Sequence, residues 1–126
     1  KKEVKVVLSL PTPEFPNARY KFCQSQKVQW FNNINNKNKC SYPYKYFASR
    51  DGKYYKIIKA LRNIDKKNKN FYLFDSLKTM CPDAKCNYSD KNKLLYKNDP
   101  DHLSNFSARN IIAPKLIEFL NMELEL

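Results

Sequence analysis

Glycine is almost absent from this sequence, which contains one glycine, Gly52. Phosphate-binding loops and nucleophile elbows need several glycines, because their backbones adopt conformations that other residues resist. Neither kind of site can therefore be built from these 126 residues. Long apolar runs are missing too, since no stretch approaches the roughly 20 apolar residues of a membrane-spanning helix. Histidine is as scarce as glycine, with His102 alone.

Arginine is also scarce in a chain whose net charge is +12. A basic chain can bind nucleic acid, anionic lipid or acidic glycans. Arginine is the cation best suited to reading bases, however, and it occupies only four positions. Five of the 24 Lys and Arg residues lie in Asn-Lys runs at residues 35–39 and 66–70, a composition typical of solvated loops. We therefore expect no nucleic-acid partner.

Four cysteines are present and permit two disulfides in three possible pairings: Cys23, Cys40, Cys81 and Cys86. The local pairings, Cys23 with Cys40 and Cys81 with Cys86, are favoured, and Pro82 and Asp83 can turn the short second loop. A structural zinc site usually needs two close cysteine pairs, which only Cys81 and Cys86 approach. Free thiols remain a third interpretation. Disulfides would indicate an oxidising compartment, and we expect no metal or cofactor.

Apolar patterning predicts an α/β fold. Residues 4–10 are apolar and β-branched, as in a buried strand, and residues 70–75 form a second short apolar run. Between them, residues 53–66 carry apolar side chains at helical spacing. A helix that leads into a strand is typical of the crossover unit of a parallel sheet.

The remaining segments have weaker patterns. The apolar pattern of residues 106–124 predicts a C-terminal helix. We expect a kink near Pro114, because proline has no backbone N–H to donate. A helix over residues 28–34 and an extended piece over residues 42–47 are weaker predictions, and residues 76–98 read as a loop that holds a cysteine pair. The chain runs at once from a non-Met start into a strand, so we expect part of a longer protein.

Asp99-Pro100-Asp101-His102 is the stretch that most suggests chemistry. A neutral imidazole accepts a proton near pH 7, and a carboxylate on its other ring nitrogen orients it. One tight turn can bring Asp99 onto His102, whereas the adjacent Asp101 should point elsewhere. Taken alone, a histidine beside aspartates on a polar loop is more often a solvated surface residue. Asp75, at a strand end, is either a site residue or a helix cap.

The order of these features is more informative than any one of them. A strand ends in Pro11–Glu14, a second strand ends in Asp75, and the segment Phe71–Ala108 contains Cys, Cys, Leu-Tyr and Asp-x-x-His-Leu-Ser in sequence. This order resembles the later part of the SGNH domain fused to the C-terminus of acyltransferase-3 membrane proteins, which O-acetylate lipopolysaccharide, other glycans or peptidoglycan. The resemblance implies a three-layer fold, with a short parallel sheet flanked by helices. Residues 1–126 would form the C-terminal portion of one such domain.

Carried over by position, the resemblance implies that His102 is the catalytic base and Asp99 the residue that orients it. The chain departs from the family at Ser107, where the family usually has Gly after the turn. It also lacks the family's Gly-Asp-Ser block, so the nucleophilic serine would lie upstream of Lys1. The 126 residues alone should then be inactive.

The resemblance also implies partners and a location. These are a cell-surface glycan acceptor, an acyl donor delivered by an N-terminal membrane domain outside this chain, and the periplasmic face of the bacterial inner membrane. Two alternatives stay open at this point. One is a secreted SGNH esterase with water as acceptor, and the other is a basic module that binds a glycan or nucleic acid without catalysis.

Overall fold

The computed structural model describes residues 4–16, 18, 23, 40–91 and 93–124. Its elements, in chain order, are β1 (Val6–Ser9), β2 (Ser41–Pro43), α1 (Lys45–Ala48), α2 (Tyr55–Lys67), β3 (Phe71–Phe74), α3 (Ser76–Met80), a 3₁₀ turn (Pro82–Ala84), β4 (Lys85–Asn87), β5 (Ser89–Asp90), β6 (Lys93–Leu94), α4 (Asn105–Ser107), a π-helical turn (Ala108–Ile112) and α5 (Ala113–Leu124). Within this part of the chain, every helix is too short or too polar to cross a bilayer.

A parallel pair of strands, β1 and β3, organises the fold. Val6 lies opposite Phe71 and Ser9 opposite Phe74, and α2 precedes β3 in the crossover between the two strands. Both α2 and α5 pack against β3. The predicted α/β class, with a short parallel sheet flanked by helices, is therefore confirmed.

Helix α2 forms because its apolar residues recur on one side. Tyr54 and Ile58 are each 4% exposed, and Leu61 packs against the same core. Asn68 ends the helix, with its backbone extended and its side-chain amide donating to the carbonyl of Ile64. The sequence places this helix at residues 53–66, and the structure shifts its bounds by one or two positions.

Aromatic side chains make up much of the buried core. Phe15 is fully buried against three rings, with centroid distances of 4.9 Å to Tyr96, 5.6 Å to Tyr88 and 5.7 Å to Tyr42. Tyr88 and Tyr96 stack at 5.3 Å. Buried aromatic pairs contribute about 0.5–1.5 kcal/mol beyond their area, so this cluster is a major source of cohesion in a small domain.

The prediction of an extended piece over residues 42–47 is correct at its start and wrong from residue 45 onward. Only Ser41–Pro43 is a strand, and the one-turn helix α1 begins two residues later. The carbonyl of Tyr44 accepts the backbone N–H groups of Phe47 and Ala48, and the turn buries the Phe47 ring completely. Tertiary burial of an aromatic ring outweighs the local β preference of this segment.

Residues 76–98 are far more ordered than the predicted loop. Asp75 caps α3 by accepting the Lys78 backbone N–H at 2.8 Å. Strand β4 pairs antiparallel with β2, placing Tyr42 opposite Cys86, and β5 pairs with β6. The sequence hides these strands because each is only two or three residues long. The predicted helix over residues 28–34 lies outside the described residues.

The C-terminal helix passes Pro114 by widening the turn before it. Where we expected a kink, the structure has a π-helical turn, in which the Ala113 N–H donates to the carbonyl of Ala108. Because Pro114 has no backbone N–H, it cannot donate to the carbonyl four residues earlier, as an α-helix requires. The wider turn changes the hydrogen-bond pairing at this point of the helix. Ser104 caps the start of the helix by accepting the N–H of Ser107.

Both disulfides join the cysteines that are closest in sequence. Cys23 bonds Cys40, with their α-carbons 5.4 Å apart, and Cys81 bonds Cys86 at 4.1 Å. The pairing is the one the sequence favours, and it leaves no cysteine thiolate for zinc. Two disulfides fit an oxidising, extracytoplasmic compartment.

Candidate active site

The loop that carries Asp99 and His102 is closed by backbone pairing at its base. Tyr96 and Leu103 form an antiparallel bridge, and the Lys97 N–H donates to the carbonyl of His102 at 2.8 Å. Directly after the bridge, Ser104 donates its N–H to Leu95 and begins the C-terminal helix. The loop is therefore a tight connection between two anchored segments.

Asp99 organises this loop through its side chain. Its Oδ1 accepts the backbone N–H of His102 at 2.7 Å and that of Asp101 at 3.2 Å. An aspartate that bonds its own backbone two or three residues on forms an Asx-type turn, and Pro100 suits that turn because its φ is already restricted. The turn folds residue 102 back over residue 99.

The imidazole of His102 meets two carboxylates. Its Nδ1 lies 3.2 Å from Oδ2 of Asp99 and 3.1 Å from Oδ1 of Asp101. The structure brings Asp99 and His102 together as the spacing suggests. The expectation that Asp101 points elsewhere is wrong, because the turn bends the backbone enough for adjacent side chains to meet.

The outward side of the imidazole is open. The His102 side chain is 69% exposed, and within the described part of the chain its Nε2 has no hydrogen-bond partner. A carboxylate at Nδ1 favours the tautomer whose Nε2 accepts protons, and it stabilises the imidazolium once formed. The arrangement can therefore take a proton from a hydroxyl that approaches from outside this chain.

The pKa of the Asp99 carboxyl is lowered from its usual 3.8. The largest cause is the hydrogen bond from the His102 backbone N–H, and smaller contributions come from the Asp101 N–H and the imidazole. Because the folded-state pKa is depressed, ionised Asp99 stabilises the folded loop above the unfolded pKa. That contribution is lost as pH falls through the folded pKa.

The carboxyl carbon of Asp99, followed by ¹³C NMR during an acid titration, is expected to titrate below 3.8. The lowering should largely survive in His102→Ala, because the backbone donor at residue 102 remains. A midpoint at or above 3.8 would contradict the turn geometry. Loss of the whole shift in His102→Ala would show that the imidazole, rather than the backbone, causes it.

Two buried aromatic residues hold the loop against the core. The Tyr88 hydroxyl donates to the backbone carbonyls of Lys97 and Asp99, and the Phe15 N–H donates to the carbonyl of Pro100 at 2.8 Å. Phe15 lies in the segment that follows β1, so the loop is tied to the carboxyl end of the parallel pair. Sequence reasoning missed both residues, and Tyr88 carries no local signal because it is the single aromatic residue between Phe74 and Tyr96.

Asp75 is placed as a helix cap. One carboxylate oxygen accepts the Lys78 N–H, and the other lies 3.9 Å from a guanidinium nitrogen of Arg62. Both contacts are structural, which favours the cap interpretation over the site interpretation.

One oxygen or nitrogen atom from each of Asp99, Asp101 and His102 lies within 4.8 Å of the others, so these three residues could hold a cation. The contacts of His102 Nδ1 with the carboxylates of Asp99 and Asp101 are enough to explain why these three side chains lie together. That the site works without a metal stays a prediction.

Comparison with known proteins identifies the family. The model of the SGNH domain (fused to AT3 domains) matches residues 1–114, which include every residue of the loop. No curated protein and no solved structure matches the chain. The match covers most of the chain and ends at Pro114, inside α5. The chain therefore belongs to the family of SGNH domains fused to AT3 domains, an acyltransferase-associated module.

Proposed function

We propose that this chain supplies the base and the orienting carboxylate of an extracytoplasmic O-acyltransferase. The acceptor is a hydroxyl of a cell-surface glycan such as lipopolysaccharide. The acyl group, most simply acetyl, is delivered by the AT3 membrane domain of the parent protein. His102 is the general base, Asp99 orients it, and the nucleophile is a serine from the preceding part of the parent protein.

The observation that carries this proposal is the contact of Asp99 with His102 Nδ1 at 3.2 Å, with the rest of the imidazole open. A base buried in its own chain could not reach a separate nucleophile. A base with no carboxylate partner would lack a fixed tautomer. Here both requirements are met on a loop that the core holds in place.

Five of the described serines, at positions 9, 76, 89, 104 and 107, use their hydroxyls in hydrogen bonds within the chain. The Ser104 hydroxyl donates to Leu94, the Ser107 hydroxyl to Leu95, and the Ser76 hydroxyl to Leu10. A nucleophile must come within roughly 3 Å of the base. An external serine fits both the open Nε2 and the absence of a Gly-Asp-Ser block from the sequence.

The proposed reaction has two half-steps. In the first, Nε2 of His102 removes the serine hydroxyl proton while the serine oxygen attacks the acyl carbonyl. The imidazolium then protonates the departing donor oxygen, leaving an acyl-serine. In the second, Nε2 removes the glycan hydroxyl proton, the glycan oxygen attacks the acyl-serine, and the proton returns to the serine. Asp99 stabilises the imidazolium in both steps.

The two carboxylates around Nδ1 offer a matched test in the parent protein. Asp99→Asn keeps the Oδ1 acceptor of the turn and removes the charge, and we expect acyl transfer to fall about 10²–10³-fold. The loss is smaller than for a triad with one carboxylate, because Asp101 also reaches Nδ1. Asp101→Asn removes the same charge one residue from the base and should cost less than about tenfold.

Transfer is measured as labelled acyl groups on purified glycan, beside release of free acid into water. A larger loss in Asp101→Asn than in Asp99→Asn would reverse the roles of the two residues. Acid release that is unaffected by added glycan would identify an esterase instead of a transferase.

A further inference from the structure

The outer side of α2 combines exposed isoleucines with unpaired lysines. We call the surface formed by Lys56, Ile57, Ala60, Ile64 and Lys67 the α2 outer face. All five residues are exposed, and helical spacing places them together on one side of the helix, beside the side on which Tyr54 and Ile58 enter the core. The helix has 13 residues and is about 20 Å long.

The two isoleucines form a stripe. Ile57 is 51% exposed and Ile64 38%, whereas Ile58, one position along, is 4% exposed. A separation of seven residues is close to two helical turns, so Ile57 and Ile64 lie on the same side, with Ala60 between them. Burial inside the domain explains Ile58 but does not explain the pair at 57 and 64.

The charges beside this stripe have one sign. Lys56 and Lys67 border it, Lys59 and Lys66 lie on the far flank, and none of them forms an ion pair with any described residue. The carboxylate of the helix, Asp65, is half-buried on the inward side. Arg62 is the cation of α2 that does reach a carboxylate, at Asp75.

We propose that the α2 outer face docks on an anionic lipid bilayer. Lysines beside an apolar stripe let the stripe enter the interface while the ammonium groups stay at the level of the lipid phosphates. The isoleucines distinguish this partner from a nucleic acid, whose backbone offers phosphates but little apolar surface. The docking is independent of the acyl-transfer chemistry proposed above.

Co-sedimentation of the 126-residue chain with lipid vesicles tests this inference. We expect binding to vesicles of phosphatidylglycerol mixed with phosphatidylcholine, and little binding to phosphatidylcholine alone. Each lysine near the surface contributes about fivefold, so Lys56→Gln/Lys67→Gln should weaken binding about 25-fold. Ile57→Ser/Ile64→Ser should weaken it about tenfold while leaving its salt dependence unchanged.

Lys85→Gln/Lys97→Gln is the matched control, because it removes the same charge from exposed positions outside α2. It should leave binding within about threefold of the unchanged chain. An equal loss in this control would overturn the proposal in favour of attraction by net charge. Equal binding to neutral vesicles would also overturn it. So would binding to a single-stranded DNA oligonucleotide with no binding to vesicles. Circular dichroism confirms that each variant is folded.

Discussion

Replacing His102 with Ala is expected to lower the acyl-transfer rate of the parent protein by on the order of 10⁴–10⁶-fold. The base takes part in both half-steps, and the chain contains no second histidine to replace it. The loss should appear in the rate of transfer at saturating acceptor, because His102 handles protons and does not hold the glycan. The measurement is the initial rate of labelled acyl transfer, compared at equal protein concentration.

The His102→Ala variant should remain folded. The side chain is 69% exposed, and substitutions at such positions usually change the free energy of unfolding by less than about 0.5 kcal/mol. Asn98→Ala, at an exposed position in the same loop, is the control and should retain nearly full activity. Full activity in His102→Ala would show that another group is the base.

Replacing Phe15 with Ala should cause the largest loss of stability among single substitutions in the aromatic core. The ring is fully buried and touches three tyrosines, so its removal is expected to cost about 3–5 kcal/mol of unfolding free energy. For a domain of this size the melting temperature should fall by roughly 10–20 °C. Urea unfolding of the chain with its disulfides intact measures the change.

Met122→Ala is the control for this substitution. Its side chain is 66% exposed, and the expected change is below about 0.5 kcal/mol. The backbone N–H of residue 15 remains in Phe15→Ala, so the bond to the Pro100 carbonyl can persist if the ring cluster repacks. A loss below about 1 kcal/mol would contradict the central place given to Phe15 in the core.

Sequence patterning predicted the elements whose signals are long or periodic. Helix α2 carries apolar side chains over more than three turns, and β1 and β3 are continuous apolar runs, so each is recognisable without its neighbours. The short strands β4, β5 and β6 could not be found in this way. Two or three residues give no period, and β4 pairs with β2 across more than forty intervening positions.

The pairing of Asp99 with His102 was predictable because it is local. Three residues of spacing and a proline restrict the backbone enough for the turn to follow from the sequence. The contact of Asp101 with the same ring nitrogen was not predictable, since it depends on how sharply that turn bends. The anchoring by Tyr88 and Phe15 was also hidden, because those residues lie 11 and more than 80 positions from their partners in the loop.

From the sequence alone follow the α/β class, a preference for the two local disulfides, the closeness of Asp99 to His102 and the resemblance that the family match confirms. All of these depend on patterns within a short stretch or on the order of motifs along the chain. The three-dimensional structure was needed to show that two carboxylates contact one imidazole nitrogen and that an aromatic core holds their loop. It was also needed to show that two isoleucines of α2 are exposed to solvent. Those features depend on contacts between residues that are distant in sequence. Packing and burial determine such contacts, and the local sequence pattern does not encode them.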